Sequence, residues 1–185
     1  MKSPKRFLLI LAAGAVTVLA AGAALLDAPA PASAATVSNT VAADLQYMRE
    51  EEKLARDVYR AFDDTYGDEV PVFRTIAKAE VRHMLAMKRL LSYYHVADPV
   101  KVDREGVFRN DELQQLYDDL VDQGNGSRED ALEAAIAVEQ RDIADLKEAR
   151  SHTSRPYIKR VYDSMIRASY QHITAFERAQ DVYGD

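Results

Sequence analysis

From residue 40 onward the apolar positions recur with helical rather than strand spacing. Period-two runs of Val, Ile and Thr are missing, and the glycines punctuate the pattern rather than interrupt it. The spacing predicts a helix from about Thr40 to Tyr66, closed by Gly67 and Pro71, and a second from about Val72 to His95, before Asp98-Pro99. A long connection follows to Gly126 and carries a short amphipathic helix, NDELQQLYDDLVDQG. Ser127 with Asp130 three residues on is an N-terminal cap pattern for a helix running to about Arg150. SHTSRP reads as a tight turn, with Pro156 in the first turn of a last helix ending near Tyr183-Gly184. Short links within the first and last pairs predict antiparallel hairpins. The long middle link is able to cross the length of a bundle. The expected fold is therefore all-α, an antiparallel four-helix bundle of ferritin-like topology with a helix-bearing crossover between helices 2 and 3.

Each predicted long helix has one inward stripe. The four read Leu45, Met48, Glu52, Ala55, Tyr59, Phe62; Phe73, Ile76, Glu80, His83, Met87, Leu90; Leu132, Ile136, Glu139, Ile143, Leu146; and Ile158, Tyr162, Met165, Ser169, His172, Phe176, Ala179. Each stripe is apolar except near its middle. Counting outward from the hairpin turns, Glu52, Glu80, His83, Glu139 and His172 fall at one level. Ionised carboxylates in a core cost several kcal/mol each unless neutralised. Three of them converging with two imidazoles invite a cation, and two metals about 3.5–4 Å apart would use all five. A lone Glu-x-x-His is a weak signal, and Glu51 would replace Glu52 if the register slipped; the coincidence on four helices carries the reading.

Composition narrows the chemistry. There is no cysteine, so thiolate sites, iron–sulfur clusters and disulfides are excluded, and any metal must be held by His and carboxylates. Residues 1–34 open with a basic head, continue with an apolar run from Phe7 to Leu26 and end in Ala32-Ser33-Ala34, the layout of a secretory signal peptide cut after Ala34. The other reading is an uncleaved membrane anchor, since about 20 apolar residues span a bilayer. Either way residues 35–185 are expected to be exported as one domain. Removing Lys2, Lys5, Arg6 and Asp27 takes the net charge from −6 to −8, which argues against a nucleic-acid partner. An acidic stretch from Asp122 to Glu133 fails as a calcium loop, because Gly124, Gly126 and Ser127 stand where ligands belong.

The segments EKLARDVY, EVRH, Glu139 and SYQH resemble the ferritin-like superfamily of carboxylate-bridged di-iron proteins, the first with a rubrerythrin-like cadence. EEEKLARDVY, FRTIAKAEVRHM, GVFRNDELQQLYDDLV and VEQRDIADL are similar to an exported bacterial ferritin-like family of unknown function, over nearly all of 40–180. The resemblance implies Glu52, Glu80, His83, Glu139 and His172 as ligands of two irons, with manganese or zinc as alternatives, and dioxygen or peroxide as the reactant. If the protein is an enzyme, it is then a ferroxidase- or peroxidase-like oxidoreductase. One departure stands out: the superfamily expects Glu-x-x-His on the last helix, and here Ser169 takes the glutamate's place. Asp142, one turn beyond Glu139, either supplies the missing carboxylate or orients His83 or His172. A single metal is the third outcome. Tyr59 and Tyr162 lie one heptad from the layer, as electron relays or as core aromatics. Arg56 and Asp57 fall off the stripe and are expected to pair on the surface, while His95 and His152 stay outside the site. A mononuclear metal-handling protein and a non-catalytic helical binding module remain open, as does oligomer formation.

Overall fold

The computed structural model describes residues 36–183. The signal-peptide reading of 1–34 lies outside them. Among the described residues there are five helices and no strands: α1 (Asn39–Tyr66), α2 (Val72–Tyr93), α3 (Asp111–Gly124), α4 (Arg128–Ser151) and α5 (Pro156–Tyr183). Their starts follow from capping chemistry. The Ser38 hydroxyl accepts from the Val41 N–H at 3.2 Å, and Ser127 accepts from Asp130 at 3.1 Å. Asn110 accepts from the N–H groups of both Glu112 and Leu113, which satisfies donors that a helix start otherwise leaves open. α2 ends two residues earlier than its apolar spacing predicts, because His95 turns left-handed at φ 54°. The Val96 N–H then closes back on the Leu91 carbonyl at 2.8 Å, and that of His95 on Ser92.

Contacts between α1 and α2 run in opposite order along the two helices. Asp63 meets Arg74 near the turn, Glu52 meets His83 midway, and Gln46 reaches Ala97 beyond the far end. The same holds for Arg150–Asp163, Asp142–Ser169 and Glu139–His172 on α4 and α5. α1 also packs on α4, α2 on α5, and α3 lies against α1 and α4, giving bundle-like helix packing. Two apolar clusters form the interior. One gathers Leu54 to Phe62, Phe73, Ile76, Ala131 to Val138 and Phe176. The other gathers Leu45, Met48, Met87, Leu90, Leu146, Ile158, Tyr162 and Met165. On each of the four long helices the stretch between these clusters carries buried polar side chains: Glu52 on α1, Glu80 on α2, Glu139 and Asp142 on α4, and Ser169 on α5.

The middle of α1, from Met48 to Tyr59, is buried on all sides. Its outer face is covered by the segment between α2 and α3. Arg56 and Asp57 therefore do not pair on the surface, as their place off the apolar stripe predicts; they lie inside. Asp57, fully buried, accepts from Lys53, Arg56 and the Gly106 N–H, and Arg56 forks onto Asp103 at 2.6 Å through both terminal nitrogens. Lys53 sits over the Phe108 ring at 4.1 Å, and Glu50 accepts from the Arg109 N–H. Gly106, at φ 68°, makes the turn that delivers its N–H.

Candidate metal centre

Glu52 of α1, Glu80 and His83 of α2, Glu139 of α4 and His172 of α5 meet in the polar layer. The three carboxylates are at most 2% exposed. Nδ1 of His83 lies 2.7 Å from Glu80 Oε2 and 3.2 Å from Glu52 Oε2. Nδ1 of His172 lies 2.9 Å from Glu80 Oε1 and 3.1 Å from Glu139 Oε1. Glu80 therefore offers one oxygen to each imidazole, and the two rings stack 5.6 Å apart. Two groups result, Glu52/Glu80/His83 and Glu80/Glu139/His172, whose donor atoms within each group lie inside 4.8 Å of one another.

These groups can hold metal. The test of fit lies in their unsatisfied atoms. The approach of His172 to Glu80 is not aligned as a hydrogen bond, and Glu80 Oε1 has no hydrogen-bond partner; nor has Glu52 Oε1 or Asp142 Oδ1. A buried, unpaired carboxylate oxygen is costly, and several at one level are what a cation would relieve. All donors are nitrogen or oxygen, which suits iron, manganese or zinc.

Without metal the layer balances itself with protons. Burial alone would depress His83, but the Glu52 and Glu80 carboxylates overcome it and hold the ring's pKa up at about 11. His172 is treated likewise, with Glu139 and Glu80 raising it to about 9 against burial. Burial would raise Glu80, yet the two imidazoles bring it down to about 2. Glu52 goes the other way, up to about 7, because burial outweighs the attraction of His83. Glu139 is raised as well, by burial and by the Glu80 charge. A proton on Nδ1 of each imidazole thus lies where a metal ligated by that nitrogen and its glutamates would lie.

Asp142 stands outside both groups. It is buried and accepts a hydrogen bond from the Ser169 hydroxyl at 2.7 Å. The Nδ1 atoms of His83 and His172 face glutamates rather than Asp142. Burial and the nearby Glu52 and Glu51 charges push the pKa of Asp142 well up, which favours its protonated form. Tyr59 belongs to the layer more closely than its heptad offset suggests, since its hydroxyl donates to Glu139 Oε1 at 2.8 Å. Tyr162 does not reach it; its hydroxyl is buried with no partner. Glu51 did not slip into the place of Glu52. It is buried toward Arg141, 3.6 Å away, and burial with the neighbouring Asp145 holds its carboxyl well above the usual range. No periodic signal marks Glu51, because a charged residue off the stripe reads as solvent-facing. His95 is exposed and His152 pairs with Asp44 at 3.0 Å, both away from the layer.

The comparisons agree on kinship. Residues 42–185 match the family described as an uncharacterized protein domain, DUF2202. The chain is 43% identical over 137 residues to the uncharacterized protein MJ0754 of Methanocaldococcus jannaschii, a match spanning 74% of this chain and 73% of that protein. The crystal structure of the hypothetical protein MJ0754 is similar with a TM-score of 0.78 at 40% identity, covering 82% of this chain and 85% of that one. With so much of its length matched in sequence and in fold, this chain belongs to the DUF2202 family.

Proposed function

We propose that this is an exported metalloprotein of ferritin-like topology, with α1, α2, α4 and α5 as the bundle and α3 on the crossover, released by cleavage near Ala34. Its polar layer holds two metal ions, iron by preference. The observation that carries this reading is Glu80, whose two oxygens face two separate His/Glu groups in one buried layer. Glu80 would bridge, Glu52 and His83 would hold one ion, and Glu139 and His172 the other. Iron so held supplies one-electron steps toward dioxygen or peroxide, as in Fe(II) oxidation or peroxide reduction.

The chain's own part is positional. Tyr59 fixes the orientation of Glu139 through its hydroxyl. Both imidazoles must lose the Nδ1 proton before they ligate, so metal uptake releases protons. The aromatic cluster of Tyr59, Phe73 and Phe176 closes one side of the layer against water. With no cysteine, this sequence offers no thiolate-ligated iron centre as a source of electrons for turnover.

A second reading rests on Ser169. Its hydroxyl engages Asp142, so the Glu139/His172 side has one carboxylate fewer than the superfamily pattern expects. The Glu52/Glu80/His83 group would then hold a single zinc or manganese. Anaerobic reconstitution with Fe(II), followed by elemental analysis and exposure to peroxide, separates the two. Two irons per chain, lost in Glu80→Ala/His83→Ala while helical circular dichroism is kept, is the expected result. One ion per chain favours the second reading, and none after loading with Fe(II), Mn(II) and Zn(II) in turn removes both.

A further inference from the structure

A charge asymmetry lies over one edge of the layer. The layer's carboxylates are sealed, but the side chains of His83 and His172 are 13% and 12% exposed, so the approach from solvent runs between α2 and α5. A cavity of about 440 Å³ opens there, with His83 on its wall and Arg82, Arg160, Tyr157, Ser164 and Met165 around it. Both arginines are exposed. Arg82 touches only the Lys78 carbonyl, at 3.4 Å, and Arg160 only the Tyr157 ring, at 6.0 Å; neither guanidinium has a carboxylate partner among the described residues. The cavity lining contains no acidic residue. Beyond it, every exposed charged residue of α2 is basic (Arg74, Lys78, Arg82, Lys88 and Arg89), and the helix's one acid is the buried Glu80. In a chain of net charge −6 this is a local reversal of sign.

We propose that the α2–α5 cavity is an entry site for a small inorganic anion, held by Arg82 and Arg160 and passed along the His83 edge to the layer, a destination that rests on the metal reading above. Clefts lined by one sign of charge raise the local concentration and arrival rate of the opposite ion about 10- to 1000-fold, and repel the like ion. The cavity accordingly disfavours Fe(II) as the species that arrives at each turnover. Two guanidinium groups offer planar, forked donors suited to an oxyanion or a linear anion. Tyr157 and Ser164 add neutral polar atoms to the same wall.

Azide tests this in two forms of the full mature chain. In metal-free protein at low ionic strength, azide titration followed by ¹H–¹⁵N NMR should move the Arg82 and Arg160 side-chain signals and the Ser164 amide saturably. Arg82→Gln/Arg160→Gln should weaken the Ser164 response at least about tenfold, in proportion to the lost charge-assisted hydrogen bonds. Uniform, unsaturable shifts would overturn the proposal whether or not the protein binds metal. In iron-loaded protein, stopped-flow absorbance should show azide association slowed about tenfold in Arg82→Glu/Arg160→Glu, with the difference fading as salt screens it. Nitric oxide, which is neutral, should associate at the same rate in both proteins. Equal azide rates, or equal slowing of both probes, would also overturn it. Failure to load iron would remove the proposed metal function and leave the metal-free titration to decide the anion site.

Discussion

Two buried tyrosines with the same offset from the polar layer behave differently because helix direction differs. Side chains lean toward the N-terminus of their own helix. Tyr59 follows Glu52 in α1, so it leans back into the layer and donates to Glu139; Tyr162 precedes Ser169 and His172 in α5 and leans away. Tyr59→Phe should leave the fold intact, lose about 1 kcal/mol in urea denaturation and weaken metal affinity roughly tenfold in a competition titration. An unchanged affinity would mean that the hydroxyl does not orient Glu139. Tyr162→Phe, with no hydrogen bond to lose, should be neutral or slightly stabilising in the same denaturation. Asp57 is a sharper case of buried charge. It neutralises Lys53 and Arg56, both nearly inaccessible, and also accepts from the Gly106 N–H. Asp57→Ala leaves Lys53 without its carboxylate in the interior and Arg56 with Asp103 alone, and about 3–5 kcal/mol of stability should disappear. A loss below about 1 kcal/mol would show that water reaches them.

At the scale of elements, α1 departs most from the usual amphipathic helix. Its stripe faces α2 and α4, yet its opposite side is also covered, by α3 and by the returning segment from Asp98 to Arg109. On that side Glu50, Lys53, Arg56 and Asp57 find ion-pair or backbone N–H partners instead of water. α3 comes close because Gly124 has no side chain: a Cβ there would stand 2.2 Å from Cε1 of Phe62 and 3.2 Å from the Cα of Ala131. Phe62 is fully buried and the Ala131 backbone belongs to α4, so neither neighbour gives way freely. Gly124→Ala should therefore destabilise by about 1–3 kcal/mol through overpacking, despite alanine's higher helix propensity. A rise in thermal midpoint would show that α3 shifts outward without cost.

For the whole molecule, the metal-free layer sets a pH dependence of stability. His83 and His172 have folded pKa values near 11 and 9, above the ordinary 6.5. Their contribution is complete below about pH 6.5 and is lost as pH rises through 9 to 11. Asp142 and Glu51, raised by burial, keep their protons to higher pH in the folded chain than in the unfolded one, which also favours lower pH. Glu80, lowered to about 2, opposes this only as pH falls through the acid range. The thermal midpoint of chelator-treated protein should thus climb as pH is lowered from 9 to 6, and bound metal should flatten that slope by replacing the imidazole protons. A midpoint that falls over the same interval would contradict the proton-balanced layer. Much of this molecule is legible in its apolar spacing: the helices, the tight turns and the common level of Glu52, Glu80, His83, Glu139 and His172 all follow from period and connection length, which are local quantities. What spacing alone does not carry is the second face of α1, the Asp142–Ser169 hydrogen bond and the basic cleft over His83. Those depend on which surface a returning segment covers and which two helices stand apart, and such contacts join residues far apart in the chain that no local pattern marks as neighbours.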